Sequence, residues 1–320
     1  MPDLLSQVAQ SAISPEAAAR ALEELEHASS ACATTLRGSD EVFLCNLANL
    51  LIVSPPMQDA LRAHPDWLLW LRNRVAGLLQ CSSPPNYVEA WEAWLSGDQM
   101  PANAMEGIRA FKRREYLEIS YLDLSGIASF EQTVARLSAL ADWVISKVLL
   151  YCWRSLDGQD TSSSEWADGP EDFAVVAMGK LGGSELNYSS DVDLIFCRRS
   201  SGQLHRATRL GERLVQELSQ PGPEGFLYRV DMRLRPHGET GPLVPTLSNL
   251  VNYFESWGEA WERQALIKAR ALAGGEDLCR RFSEFVRDFV FARQMDDASL
   301  EEIKRVKHRS ETEYATDRGL

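Results

Sequence analysis

The chain changes its hydrophobic period partway along, and that change limits what it can fold into. Through residues 42–53, 66–79, 87–95, 105–124 and 130–150, apolar side chains recur at helical spacing. Residues 173–178 and 192–197 are instead unbroken apolar runs of strand length, the first bounded by Asp172 and Gly179, which predicts two buried strands. A turn and short helix over 179–187 is expected to join them. A helix over 203–219 follows and is stopped by Pro-Gly-Pro at 221–223. Residues 226–235 then alternate, with Tyr228, Val230, Met232 and Leu234 on one side and Arg229, Asp231, Arg233 and Arg235 on the other. That alternation reads as a half-buried strand with one charged face. From Thr246 the pattern is helical to the end. The expected fold class is α+β and mainly helical: a helical region over 1–156, a small α/β core over 157–245 opened by the polar linker 157–170, and a helical region over 246–320.

Chemistry concentrates between the two apolar runs, in GKLGGSELNYSSDVDLIF at 179–196. Asp191 and Asp193 stand two apart on a strand, so both carboxylates point to one face while Val192, Leu194 and Phe196 point to the other. Adjacent carboxylates repel and are tolerated best around a cation; oxygen ligands of this kind suit Mg²⁺ carrying a substrate phosphate. Gly182, Gly183 and Ser184 are expected to bring backbone amides and a hydroxyl to a nucleotide phosphate at a helix N-terminus. The Lys-Ser/Thr ending of a Walker loop is missing. Asp231 reads as a third carboxylate of the metal site, with Arg233 and Arg235 neutralising phosphate oxygens through their planar forks. Each feature has a plainer alternative: a strand-end cap, a simple turn, an exposed ion pair. Taken together they read as a nucleotidyl-transfer site. Trp261-Glu262-Arg263 and Lys268-Ala269-Arg270, expected on a helix, read first as a solvated charged face.

Composition narrows the partners. The net charge is −13, with most of the acidic excess in the first 170 residues and no basic footprint, which argues against a nucleic-acid partner. No apolar run reaches bilayer length, so no membrane role is expected. The N-terminus has no basic segment before an apolar core, so no secretory signal is read there. Six scattered cysteines without a Cys-x-x-Cys pair point to reduced thiols and a cytoplasmic location.

Three runs, VVAMGKLGGSELNYSSDVDLIF, LYRVDMRLRPHGETGPLV and YFESWGEAWERQALIKARALAG, occur in this order. Together they resemble the glutamine synthetase adenylyltransferase/adenylyl-removing family, from about Glu106 to about Arg309. RVDMRLRP and the later FVFARQMD resemble the N-terminal, adenylyl-removing half. The resemblance implies a nucleotidyltransferase core of the DNA polymerase β type. Metal-binding aspartates fall at Asp191, Asp193 and Asp231, and the phosphate-binding Gly-Ser turn at Gly183 and Ser184. Two Mg²⁺ ions are implied, with ADP or ATP as the nucleotide. The implied reaction is phosphorolysis of AMP from a glutamine synthetase tyrosine, and a PII-type nitrogen-signalling protein is a further expected partner. The family's proteins are longer, with more helices and a second half after the region corresponding to this chain. Two other readings stay open: transfer of AMP from ATP to glutamine synthetase, and a non-catalytic module that docks glutamine synthetase or a PII-type protein.

Overall fold

The computed structural model describes residues 4–78, 84–96, 103–156, 158, 169–200, 202, 204–291, 301, 304 and 305. The expected linker 157–170 and the end of the chain therefore lie largely outside the described residues. Contacts divide the chain into two compact units, Met1–Met100 with Arg109–Leu140, and Pro101–Ile108 with Ala141–Leu320.

The first unit is helical throughout its described residues. Its helices are short, among them Pro15–Ala28, Ser30–Arg37, Glu41–Val53, Pro55–Ala63, Asp66–Val75 and Tyr87–Leu95. Helices of this length are marginal alone, so packing of their apolar stripes must hold them. Leu25, Leu36, Leu44, Leu47, Leu61 and Leu68 are completely buried in one core. Local signals set the boundaries: Pro15 stands in the first turn of its helix, and the Asp40 carboxylate accepts a hydrogen bond from the Phe43 amide at 2.8 Å.

Charge is also buried in this unit. Glu118, 3% exposed, accepts from Arg74 Nε at 3.0 Å and from Arg136 Nη1 at 3.5 Å. Arg114 donates to Glu115 at 3.0 Å, and its guanidinium lies 4.5 Å from the Trp70 ring centre. Burial drives the Glu115 carboxyl up to about 7, against the opposing pull of Arg114.

The second unit is built on a mixed sheet of four strands: β1 (Phe173–Ala177), β2 (Val192–Arg198), β3 (Val230–Asp231) and β4 (Arg270–Gly274). Their order is β3-β2-β1-β4, with β1 antiparallel to β2 and β4, and β2 parallel to β3. The architecture is α+β. One face of the sheet (Ala174, Val176, Ile195, Cys197) packs with Leu250, Phe254, Leu278 and Phe282 from the helices Leu247–Trp257 and Glu276–Phe291. The other face meets the helix Leu204–Ser219, where a Cβ added at Gly211 would stand 3.1 Å from the Phe196 ring.

Several sequence expectations change here. The strand expected over 226–235 pairs only at Val230–Asp231, because Leu227 and Tyr228 are buried with their amides on the Leu218 carbonyl and the chain turns after Met232. Of the turn and short helix expected over 179–187, the helical part is Gly179–Gly182 and the turn follows it. The stretch after Thr246 is not wholly helical, since β4 interrupts it, and Arg270 lies on that strand. Cys32, Cys45, Cys152, Cys197 and Cys279 are free thiols. Among the described residues, no helix is long and apolar enough to cross a membrane.

Candidate active site

The three aspartates lie near one another at the edge of the sheet where β1 ends and β2 begins. Parallel pairing puts Asp193 directly across from Asp231, one on β2 and one on β3, while Asp191 precedes β2 by one residue. Their proximity has an electrostatic consequence. Asp193, half-buried, has its carboxyl pushed above the usual range by burial first, then by the charges of Asp231 and Asp191.

Arginines answer the other two carboxylates. Arg233 closes a fork on Asp231, with Nε 2.9 Å from Oδ2 and its own amide 2.8 Å from Oδ1, which holds that carboxyl below its usual range. Arg229 bonds Asp191 and also the Ser189 carbonyl at 2.6 Å. Arg235 turns to the backbone, donating to Met232 O at 2.8 Å and Glu239 O at 3.1 Å, so it braces the loop after β3.

The glycine turn approaches the aspartates at a residue that sequence reasoning passed over. Gly179 has φ of 54°, and a Cβ there would fall 2.3 Å from Asp193 Oδ2. Only glycine accommodates both the left-handed conformation and the carboxylate. Its place directly after an apolar run was the available signal. Gly182 answers a different demand: an added Cβ would strike the Lys268 carbonyl at 2.1 Å.

Gly183 and Ser184 stand at the C-terminal end of the short helix Gly179–Gly182, not at a helix N-terminus as the sequence implied. Their amides are already used, Gly183 N on Gly179 O at 3.1 Å and Ser184 N on Leu181 O at 3.1 Å. The side chain of Ser184 is exposed, at φ of 56°.

Residues far away in sequence hold this turn. Arg270 on β4 donates to Leu181 O at 3.1 Å and to Asp142 at 2.9 Å, tying the turn to the helix Phe130–Leu156. Lys268 pairs with Glu185, and Lys180 donates to Ser190 Oγ at 3.3 Å. Glu262 and Arg263 serve the structure instead. Glu262 is buried, accepts from Tyr253 OH at 2.9 Å and closes a capping box with Glu259, while Arg263 donates to Val290 O at 2.9 Å.

Three carboxylates form the hard-oxygen donor set that suits Mg²⁺. As they stand, no three His, Cys, Asp or Glu side chains among the described residues are gathered tightly enough to hold a metal ion. Arg229 and Arg233 pair with Asp191 and Asp231, so a divalent cation would compete with guanidinium for two of its three ligands.

The family model for glutamate-ammonia ligase adenylyltransferase matches residues 44–285. Proteins named bifunctional glutamine synthetase adenylyltransferase/adenylyl-removing enzyme are similar along most of the chain. That of Shewanella woodyi is 34% identical over 271 residues, covering 82% of this chain and 28% of the relative. That of Nitrosococcus oceani is 35% identical over 255 residues, covering 76% and 26%. For Thioalkalivibrio sulfidiphilus the figures are 38% over 250 residues, 73% and 26%. The chain thus spans about a quarter of the length of the relatives it matches. The match over residues 44–285 includes the whole sheet and all three aspartates, and the chain belongs to the glutamate-ammonia ligase adenylyltransferase family.

Proposed function

We propose that the second unit is a nucleotidyl-transfer domain that removes AMP from modified glutamine synthetase by phosphorolysis, releasing ADP. The observation that carries this reading is Asp193 in register with Asp231, with Asp191 two residues away, at a sheet edge beside a glycine turn. The relatives' names support glutamine synthetase as the protein substrate. The resemblance of RVDMRLRP and FVFARQMD to the N-terminal half supports removal over attachment. In the whole protein, a PII-type signalling protein is the partner expected to set the direction.

Asp191, Asp193 and Asp231 would hold Mg²⁺, which when bound neutralises charge on the transferring phosphoryl group. The chain's own side chains do the rest. Arg233, largely exposed, can leave Asp231 and bind phosphate oxygens, and Arg229 can do the same from Asp191. Lys180 and Lys268 add positive charge at the glycine turn. An oxygen of inorganic phosphate bonds to the AMP phosphorus, the bond from phosphorus to the tyrosyl oxygen breaks, and the tyrosine takes up a proton. Positioning and charge neutralisation supply most of the rate in such transfers.

The test is incubation of the chain with adenylylated glutamine synthetase, Mg²⁺ and phosphate, following ADP. Release that disappears in Asp193→Asn supports the proposal. Incorporation of labelled AMP from ATP into unmodified glutamine synthetase, without ADP release, would reverse the direction. Binding of glutamine synthetase without either turnover would replace the enzyme reading with the docking module.

A further inference from the structure

The Lys268-Ala269-Arg270 run, which residue order presents as a solvated charged face, lies against the glycine turn of the candidate site. Arg270 opens β4 and pairs there with Ala177, the last residue of β1, so it stands where the chain leaves the sheet for the turn. Its guanidinium is used on two sides. Nη1 and Nη2 meet Oδ2 and Oδ1 of Asp142, each at 2.9 Å, in a two-point fork. Nη2 also donates to Leu181 O at 3.1 Å, and Nε to Gly182 O at 3.4 Å. Those carbonyls belong to the last two residues of the helix Gly179–Gly182, the end at which a helix leaves carbonyls without internal partners.

Asp142 stands on the helix Phe130–Leu156, in the stretch from Ala141 onward that belongs to the sheet unit. The same run meets the turn a second time: a Cβ at Gly182 would strike the Lys268 carbonyl, and Lys268 Nζ pairs with Glu185. On its other side the turn meets Asp193. The Met178 amide donates to the Asp193 carbonyl at 2.9 Å, and Gly179 leaves room for no more than a hydrogen beside the Asp193 carboxylate. Contacts therefore run without a break from Asp142 through Arg270 and the turn to Asp193.

We infer that Asp142 and Arg270 are positioning residues of the transfer site, a role that rests on the proposed function. They clamp the glycine turn, and the turn holds the Asp193 carboxylate in one place. Arg270 acts by shape more than by charge. A lysine ammonium is a single point of charge and cannot span two carboxylate oxygens and two carbonyls at once. Misplacing a reacting group by an ångström can cost about a hundredfold in rate.

Hydrogen exchange read by mass spectrometry, together with steady-state ADP release from adenylylated glutamine synthetase, tests this on the full chain with Arg270→Lys, Arg270→Gln and Asp142→Ala. Peptides covering 179–187 should exchange about tenfold faster or more in each variant, while peptides from the helix Leu204–Ser219 exchange as in the parent. The kcat should fall about ten- to a hundredfold and the KM for adenylylated glutamine synthetase should stay within about twofold, because positioning acts in the transition state. Combining Arg270→Gln with Asp142→Ala should lose no more than the worse single change, since both break one clamp. Unfolding midpoints identify any variant that has lost its fold, and the others then decide; loss of fold in all three overturns the inference, because the pair would then be scaffold. It is equally overturned if peptides 179–187 of folded variants exchange as in the parent, or if Arg270→Lys keeps the parent kcat, which would make charge alone sufficient. A parent chain that releases no ADP overturns the proposed function instead, and exchange at 179–187 then decides the clamp by itself.

Discussion

Both units crowd charged side chains together, and they treat that charge in opposite ways. In the helical unit Glu118 is buried between Arg74 and Arg136, and Glu115 beside Arg114, so the carboxylates are shut away from water. In the sheet unit Asp193 and Asp231 face each other half-buried, Asp191 is exposed, and the arginines that answer them sit at the surface. A buried, paired cluster is committed to structure, because removing one partner leaves an uncompensated charge. A half-exposed cluster of like charges has a surplus that a ligand can take up. Burial together with counter-charge, more than charge itself, separates the scaffold cluster from the candidate site.

The largest effect is expected for Asp193→Asn. On the proposed function, ADP release from adenylylated glutamine synthetase should fall by about a thousandfold, as when a group that stabilises transition-state charge is removed. The unfolding midpoint should hold or rise, since repulsion from Asp231 and Asp191 is relieved. A loss of stability on the scale of a buried ion pair would make Asp193 part of the scaffold.

Glu118→Gln is the counterpart in the helical unit. It should cost about 3 kcal/mol in urea unfolding, because Arg136 is left buried with a weaker partner. A cost near zero would remove the contrast between the two units.

Gly179→Ala joins fold to site, and should cost about 1–2 kcal/mol through its positive φ alone. It should also lower activity by displacing the Asp193 carboxylate. Normal activity in the variant would mean that the turn and the aspartate move independently.

The Glu115 carboxyl is raised from 4.5 to about 7 by burial, so across that window the folded chain keeps a proton that the unfolded chain has lost. Stability contributed by this group is therefore full below about pH 4.5 and declines as the pH rises toward 7. Glu115→Gln should flatten the decline, measured as unfolding midpoints from pH 5 to 8. An unchanged slope would show that burial does not govern Glu115. The smallest effect on stability is expected for Arg233→Ala. Its exposed fork contributes little to folding, so the midpoint should stay while the Asp231 carboxyl returns toward its usual range, as read by NMR titration.

Much of this was legible from residue order alone. The helical spacing before residue 155 and the apolar runs at 173–178 and 192–197 carry their periods locally, and helices and buried strands formed where those periods placed them. Asp191 and Asp193 could be read as neighbours because two residues on one strand share a face whatever else the chain does.

What stayed hidden was non-local. RALAG at 270–274 has no strand period, yet it pairs with β1 as an edge strand and brings Arg270 to the glycine turn. Residues 226–235 alternate over ten positions, but β2 offers backbone partners to only two of them. Gly182 has to be glycine because a carbonyl from residue 268 passes over it, and Gly179 because the Asp193 carboxylate does. The local periods, the α+β class and the candidacy of the aspartates follow from residue order, since each depends on backbone geometry within a few residues. Register and the arginine partners of Asp191 and Asp231 arise when distant segments pack together. Those contacts draw their energy from burial and pairing between elements, which no short stretch of chain contains.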